Sequence, residues 1–159
     1  MADASRRAAA RPERGGLPNL IFLAEGVERL PAAFDGLADQ VTLLFPWGSL
    51  LRGALGLDPA ISASIARLVA PGGRQEMIIS IVERDRPAVG GGEGPFGATD
   101  IETLTHSFAG LGFIDVVTRR LSPAEIRATG STWARRLRSD PDRPVWRVDL
   151  CLPAVGDTT

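Results

Sequence analysis

The chain has 159 residues, 44% hydrophobic and 23% charged, a composition that supports one ordinary folded domain and excludes a disordered or fibrous chain. Its net charge is only −1, yet all 18 basic residues are arginine and they gather at 6–14 and 119–147, so near-neutrality conceals a basic C-terminal face. The single cysteine, Cys151, excludes an internal disulfide framework and fits a reducing, cytoplasmic setting, and no run approaches the ~20 apolar residues of a membrane span.

In chain order, residues 1–10 read as the end of an amphipathic helix, stopped by Pro12 and Gly15-Gly16. The apolar run 19–24 is expected as a buried strand, with a turn over 25–31. A second strand is expected at 40–45, where the unbroken Val41, Leu43, Leu44 and Phe45 imply burial on both faces, as in a parallel sheet covered by helices. Residues 48–53 form a short helical turn. Asp58 caps a helix that has Pro59 at its first position, runs to about 69 and is ended by Pro71-Gly72-Gly73. A strand over 75–82 precedes a Gly- and Pro-rich loop at 86–97, expected to be mobile.

Thr99-Asp100-Ile101-Glu102 is a capping box opening a helix with Leu104, Phe108 and Leu111 on one side and Gly110 and Gly112 at its end. Ser122-Pro123-Ala124-Glu125 is a second such box. Strands at 113–121 and 145–152 close the chain, leaving 153–159 as a frayed tail. Strands alternating with helices predict an α/β fold with a mainly parallel sheet, and the final two strands predict an antiparallel edge within a single domain, 1–159.

Two motifs, Phe45-Pro46-Trp47-Gly48-Ser49-Leu50-Leu51 and Ser131-Thr132-Trp133-Ala134-Arg135-Arg136-Leu137, look like two walls of a pocket for a flat base. Trp47 stands between Pro46 and Gly48 at the carboxyl end of an expected parallel strand, where ligands bind in such sheets; the competing reading is a core tryptophan. Trp133 has small, polar or basic neighbours. Trp146 alternates with Val145 and Val148 and reads as structural. An arginine-rich run suits phosphate, although the absence of lysine is equally explained by a GC-rich coding sequence. His106 is the only histidine and reads as a surface helix residue. No metal-ligand spacing and no nucleophile elbow is found, so neither a metal nor hydrolase chemistry is expected.

Four co-linear motifs, Gly15-Gly16-Leu17-Pro18-Asn19-Leu20, Val27-Glu28-Arg29-Leu30-Pro31, Phe45 to Gly53 and Thr132 to Leu137, resemble the Kam/Npm family of aminoglycoside-resistance methyltransferases. These are S-adenosylmethionine-dependent enzymes that act on N1 of an adenine in the decoding site of 16S ribosomal RNA. The resemblance implies a class I, Rossmann-like sheet of seven strands, of which the strands here are the third to seventh. The first two strands, with the Gly-rich donor loop and the acidic ribose ligand, are not found. Gly90-Gly91-Gly92-Glu93-Gly94 follows the wrong strand and reads as a flexible loop.

The resemblance therefore implies that Met1 is internal to a longer reading frame, that this is the C-terminal portion of a methyltransferase domain, and that it is donor-deficient as it stands. Loss of the central first strand would also expose a row of unpaired backbone groups. By the same resemblance, Val27 and Glu28 contact the adenosine of S-adenosylmethionine, and the Pro46 backbone and Ser49 lie near donor and target. Trp47 and Trp133 stack on the flipped adenine, and Arg135, Arg136 and Arg143 grip RNA. Pro141 stands where close relatives have another arginine. The implied partner is 16S RNA within the small ribosomal subunit, with no membrane and no obligate protein partner. The alternatives are a non-enzymatic RNA-binding remnant, or a class I methyltransferase acting on another RNA or a small molecule.

Overall fold

The computed structural model describes Glu13, Leu17, Asn19, Leu20, residues 22–133 and residues 143–156. Contacts divide the chain into two compact units, Met1–Leu30 and Pro31–Thr159. The helix expected at 1–10 lies outside the described residues. In the first unit the strand expected at 19–24 does not form among its described residues: Asn19 lies in a turn and 22–24 are irregular. An extended segment becomes a strand only when a neighbour takes its N–H and C=O groups, and Leu20, Phe22 and Leu23 are exposed instead. The turn that follows contains one 3-10 turn, Val27–Arg29. Glu25 accepts the Gly26 N–H and pairs with Arg29, and the backbone bond, then the arginine, hold its carboxyl below the usual range.

The second unit is built on a four-stranded sheet: β1 (Ala38–Leu44), β2 (Val69–Ile79), β3 (Ile114–Arg120) and β4 (Trp146–Cys151), in the order β1-β2-β4-β3. β1 and β2 are parallel, and β4 runs antiparallel to both β2 and β3. The α/β class follows the sequence pattern. The last strand, however, sits inside the sheet, between β2 and β3. The same unit contains helices α1 (Gly48–Ala54), α2 (Pro59–Ala66), α3 (Arg86–Val89), α4 (Ala98–Ala109) and α5 (Pro123–Ala128). Among the described residues no helix is long and apolar enough to cross a membrane.

Leu51 and Leu55 from α1 and its end, Leu104 and Phe108 from α4, and Met77 and Ile79 from β2 form one fully buried cluster. Each such side chain contributes about 1.5–3 kcal/mol relative to exposure. The 3.6-residue spacing of Leu104 and Phe108 explains why one face of α4 joins the same cluster as alternate residues of β2. β1 is not buried on both faces. Val41 and Leu43 pack against the cluster, but Gln40, Thr42 and Leu44 are exposed. Their face carries a polar ladder in which Gln40 bonds Arg74 and Glu76. No strand among the described residues pairs the outer edge of β1.

Asp58 accepts the Ile61 N–H at 3.2 Å and Pro59 opens α2, as their residue types dictate. The helix nevertheless ends at Ala66, and Pro71-Gly72-Gly73 lies within β2 rather than before it. The register shift explains this. Pairing passes from Ala38↔Val69 to Gln40↔Arg74, so β2 carries surplus residues in a bulge. Gly72 has φ +79°, and a Cβ on Gly73 would lie 2.8 Å from the Ala70 carbonyl oxygen, so both glycines are required by the bulge and do not signal a stop.

α4 begins at Ala98, earlier than the expected box at Thr99, because the Asp100 carboxylate accepts the Gly97 N–H and fixes the first turn there. The 86–97 loop, expected to be mobile, is clamped. Arg86 donates to the carbonyls of Gly90, Gly94 and Pro95 and forms a two-pronged pair with Asp100 at 2.6 and 2.8 Å. Arg52 adds a bond to the Val89 carbonyl.

Candidate functional site

Because β4 opposes both β2 and β3, the carboxyl ends of β1, β2 and β3 share one edge of the sheet with the amino end of β4. A second apolar cluster, Ile78, Leu121 and Val145 with Phe45 and Ile126 against it, forms the floor of that edge. Phe45 donates its N–H to the Ile78 carbonyl and then turns at φ +49°, a left-handed conformation that side chains other than glycine rarely adopt. The turn buries Pro46 and throws Trp47 outward, where it is 54% exposed, so Trp47 is not part of the core. Ser49, in the first turn of α1, is also exposed.

The segment joining β3 to β4 leaves and returns at this same edge, and it carries Trp133, 53% exposed. α5 starts the segment through the capping box foreseen in the sequence: Ser122 Oγ accepts the Glu125 N–H, and Glu125 accepts the Ser122 N–H and hydroxyl while pairing with Arg119. Those donors, the Ser122 backbone first, pull the Glu125 carboxyl down to about 2. Its folded value lies below the unfolded one, so its stabilising contribution is complete above the ordinary range near 4.5 and lost as pH falls through about 2. A carbon-detected titration is expected to place the Glu125 midpoint near 2, and a Glu125→Gln chain to be less stable at pH 7 with the difference closing towards pH 2. A midpoint near 4.5 would show that the box is open in solution.

Arg143 enters the edge just before β4. Its guanidinium donates to the Ser80 carbonyl and hydroxyl and forms a 2.8 Å pair with Asp85, both side chains about 10% exposed. Asp85 also accepts the Val82 N–H. Asp85 and Arg86 thus send opposite charges in different directions, one to the entry of β4 and the other to α4. Neither Asp85 nor Ser80 carries a local sequence signal, because their partner lies about sixty residues away.

Of the residues singled out from sequence, Trp47, Pro46, Ser49 and Arg143 lie at this edge. Arg135, Arg136 and Pro141 lie outside the described residues. Val27, half-buried, and Glu28, exposed with its carboxylate folded back over Gly26, belong to the first unit. Trp146 packs on Phe96 with ring centroids 5.7 Å apart, and it is only partly buried. Among the described residues no three His, Cys, Asp or Glu side chains are grouped to hold a metal ion.

A parallel sheet with an inserted antiparallel final strand, helices packed on both of its faces and the exposed Trp47 at the carboxyl edge defines a class I methyltransferase fold. The chain belongs to the NpmA family of 16S rRNA (adenine(1408)-N(1))-methyltransferases, whose model matches residues 1–151. It is 38% identical over 146 residues to a 16S rRNA (adenine(1408)-N(1))-methyltransferase of Streptoalloteichus tenebrarius, covering 90% of this chain and 66% of that protein. It is 35% identical over 141 residues to that of Streptoalloteichus hindustanus, covering 87% and 65%. The chain therefore spans just under two thirds of the length of these two relatives. A solved mutant of the Catenulisporales acidiphilia enzyme with its cosubstrate SAM superposes with a TM-score of 0.82 at 29% identity, over all of this chain and 73% of that one.

Proposed function

We propose that the chain acts in methyl transfer from S-adenosylmethionine to N1 of an adenine in 16S ribosomal RNA of the small subunit, in the cytoplasm, and supplies the base-holding part of the site. The observation that carries this reading is the pair of half-exposed indoles, Trp47 thrown outward by the left-handed Phe45 and Trp133 on the segment that leaves and returns at the same edge. Adenine N1 holds an in-plane lone pair, so no side chain need remove a proton before the bond forms, and positioning does most of the work. The base has to leave its stack to be reached. Aromatic faces then hold it, and they favour the positive charge that methylation places on the ring.

The donor supplies an electrophilic sulfonium methyl. The residues here suit its approach: Gly48 has open space around its α-carbon, and the exposed Ser49 has no partner among the described residues. Pro46 and Ser49 would border the methyl group, and Val27 and Glu28 would hold the adenosine. Arg135, Arg136 and Arg143 would take RNA phosphate, Arg143 by exchanging its bonds to Ser80 and Asp85 for phosphate oxygens.

The reading is tested by methyl transfer to isolated small subunits, using the chain alone and joined to the segment of a Streptoalloteichus relative that it does not cover. Methylation of one decoding-site adenine, seen as a primer-extension stop, is the expected result for the joined protein. Salt-sensitive RNA binding without transfer in either form would instead favour an RNA-binding remnant.

A further inference from the structure

The sheet has two outer strands, β1 and β3, and they are finished differently. β3 is guarded. Asp115 takes a left-handed φ of +54°, the register shifts between Ile114 and Val117, and Arg119 and Arg120 end the strand in charge. Bulges and charged side chains are the usual means by which an edge strand avoids pairing with another chain. β1 has neither from Gln40 to Phe45, where the sequence Gln-Val-Thr-Leu-Leu-Phe holds no charge and no proline. Over Gln40–Leu44 it pairs with β2 in unbroken register, which leaves its other side straight.

The backbone groups on that other side can be assigned. Phe45 donates its N–H to the Ile78 carbonyl, on the β2 side. Main-chain groups along a strand alternate with a period of two, so Val41 and Leu43 also face β2, and the N–H and C=O of Gln40, Thr42 and Leu44 point away from it. No strand among the described residues takes them. Val41 and Leu43, although packed against the core cluster, are only partly buried, and Leu44 is 45% exposed. An unguarded, largely apolar strand is the kind found inside a parallel sheet, with a neighbour on each side.

We propose that the outer edge of β1 docks a parallel strand from the segment of the methyltransferase that this chain does not cover, and that it can do so with that segment as a separate polypeptide. The chain covers 66% of the Streptoalloteichus tenebrarius relative, and the remaining third or so is ample for a strand of about six residues with helices to cover it. Strand addition takes its affinity from main-chain bonds and its specificity from side chains that alternate on the two faces. A second copy of this chain fits less well. A two-fold axis through β1 would pair the strand antiparallel with itself, against the parallel order that β1 and β2 already set.

The test uses the whole 159-residue chain joined to that segment through a linker with one protease site, which is cut after folding. The two pieces are expected to elute together after cleavage, with the Thr42 and Leu44 amides exchanging at least about tenfold more slowly than in the 159-residue chain alone. Thr42→Pro removes one outward N–H at an edge position where proline is tolerated. It is expected to raise the dissociation constant of the cut pieces at least about tenfold, whereas Thr42→Val, which keeps the N–H, leaves it unchanged. Made in the 159-residue chain alone, Thr42→Pro is expected to keep the urea midpoint of the unaltered chain. Pieces that part on cleavage, amides that exchange equally fast in both proteins, or a Thr42→Pro form that binds like its parent overturns the proposal. A lower urea midpoint also overturns it, because the N–H is then used within the chain. A dimer of the 159-residue chain with those amides already protected overturns it in favour of a second copy. Neither RNA nor methyl donor enters these readouts, so failure here leaves the proposed function standing, and failure of methylation leaves the docking edge standing.

Discussion

In the protein joined to the Streptoalloteichus segment, and on the proposed function, alanine at Trp47 or at Trp133 is expected to lower kcat/KM for small-subunit methylation by about 5- to 150-fold for each wall removed, the equivalent of the ~1–3 kcal/mol that one stacked base contributes. Removing both is expected to cost less than the product of the two, because a base that has lost one wall is already free to leave the other. Trp47→Phe should recover much of the loss, whereas Trp47→Leu, apolar but without a π face, should not. The fold should persist in each case, since both indoles are about half exposed and neither belongs to a core cluster. Donor affinity, read by calorimetry, should be nearly unchanged. Normal methylation by both alanine variants would show that stacking is not how the base is held.

Breaking the Arg86–Asp100 pair is expected to give the largest loss of stability. The two side chains are 10% and 4% exposed, so Arg86→Met leaves a buried carboxylate without its counter-charge. Such a change costs about 3–5 kcal/mol, or very roughly a 10 °C fall in Tm for a chain of this size. Three backbone carbonyls lose their donor in the same step. Urea unfolding should show a lower midpoint with an unchanged slope, and amide exchange at 90–97 should accelerate. Arg86→Met combined with Asp100→Leu should be less damaging than the sum of the single changes, but short of wild type because the loop carbonyls stay unmet. A single variant within 1 kcal/mol of wild type, on the order of one ordinary hydrogen bond, would mean that the loop is not held by this pair.

Local signals were reliable: Asp58 before Pro59, the Ser122–Glu125 box, and the spacing of Leu104 and Phe108 each depend on neighbours within one or two turns. The Arg86 clamp reaches fourteen residues to Asp100 and Arg143 reaches fifty-eight to Asp85, and no local pattern announces either. Pro71-Gly72-Gly73 shows the converse error, because a stop signal and a strand bulge need the same glycine freedom and differ only in what lies alongside. The strand expected at 19–24 failed for a related reason: apolar residues specify a wish to be buried, and only a pairing neighbour makes them a strand. At the carboxyl edge the Trp47 motif was visible, whereas the left-handed Phe45 was not, since phenylalanine gives no hint of that conformation.

That one dihedral at Phe45 separates placement from identity at the next position but one. The direction in which residue 47 projects is set by main chain anchored on Ile78, and not by how well its own side chain packs. Exchange at 47 therefore changes the surface of this edge without asking the core to repack, and selection on what that surface meets can act there with little interference from selection on folding.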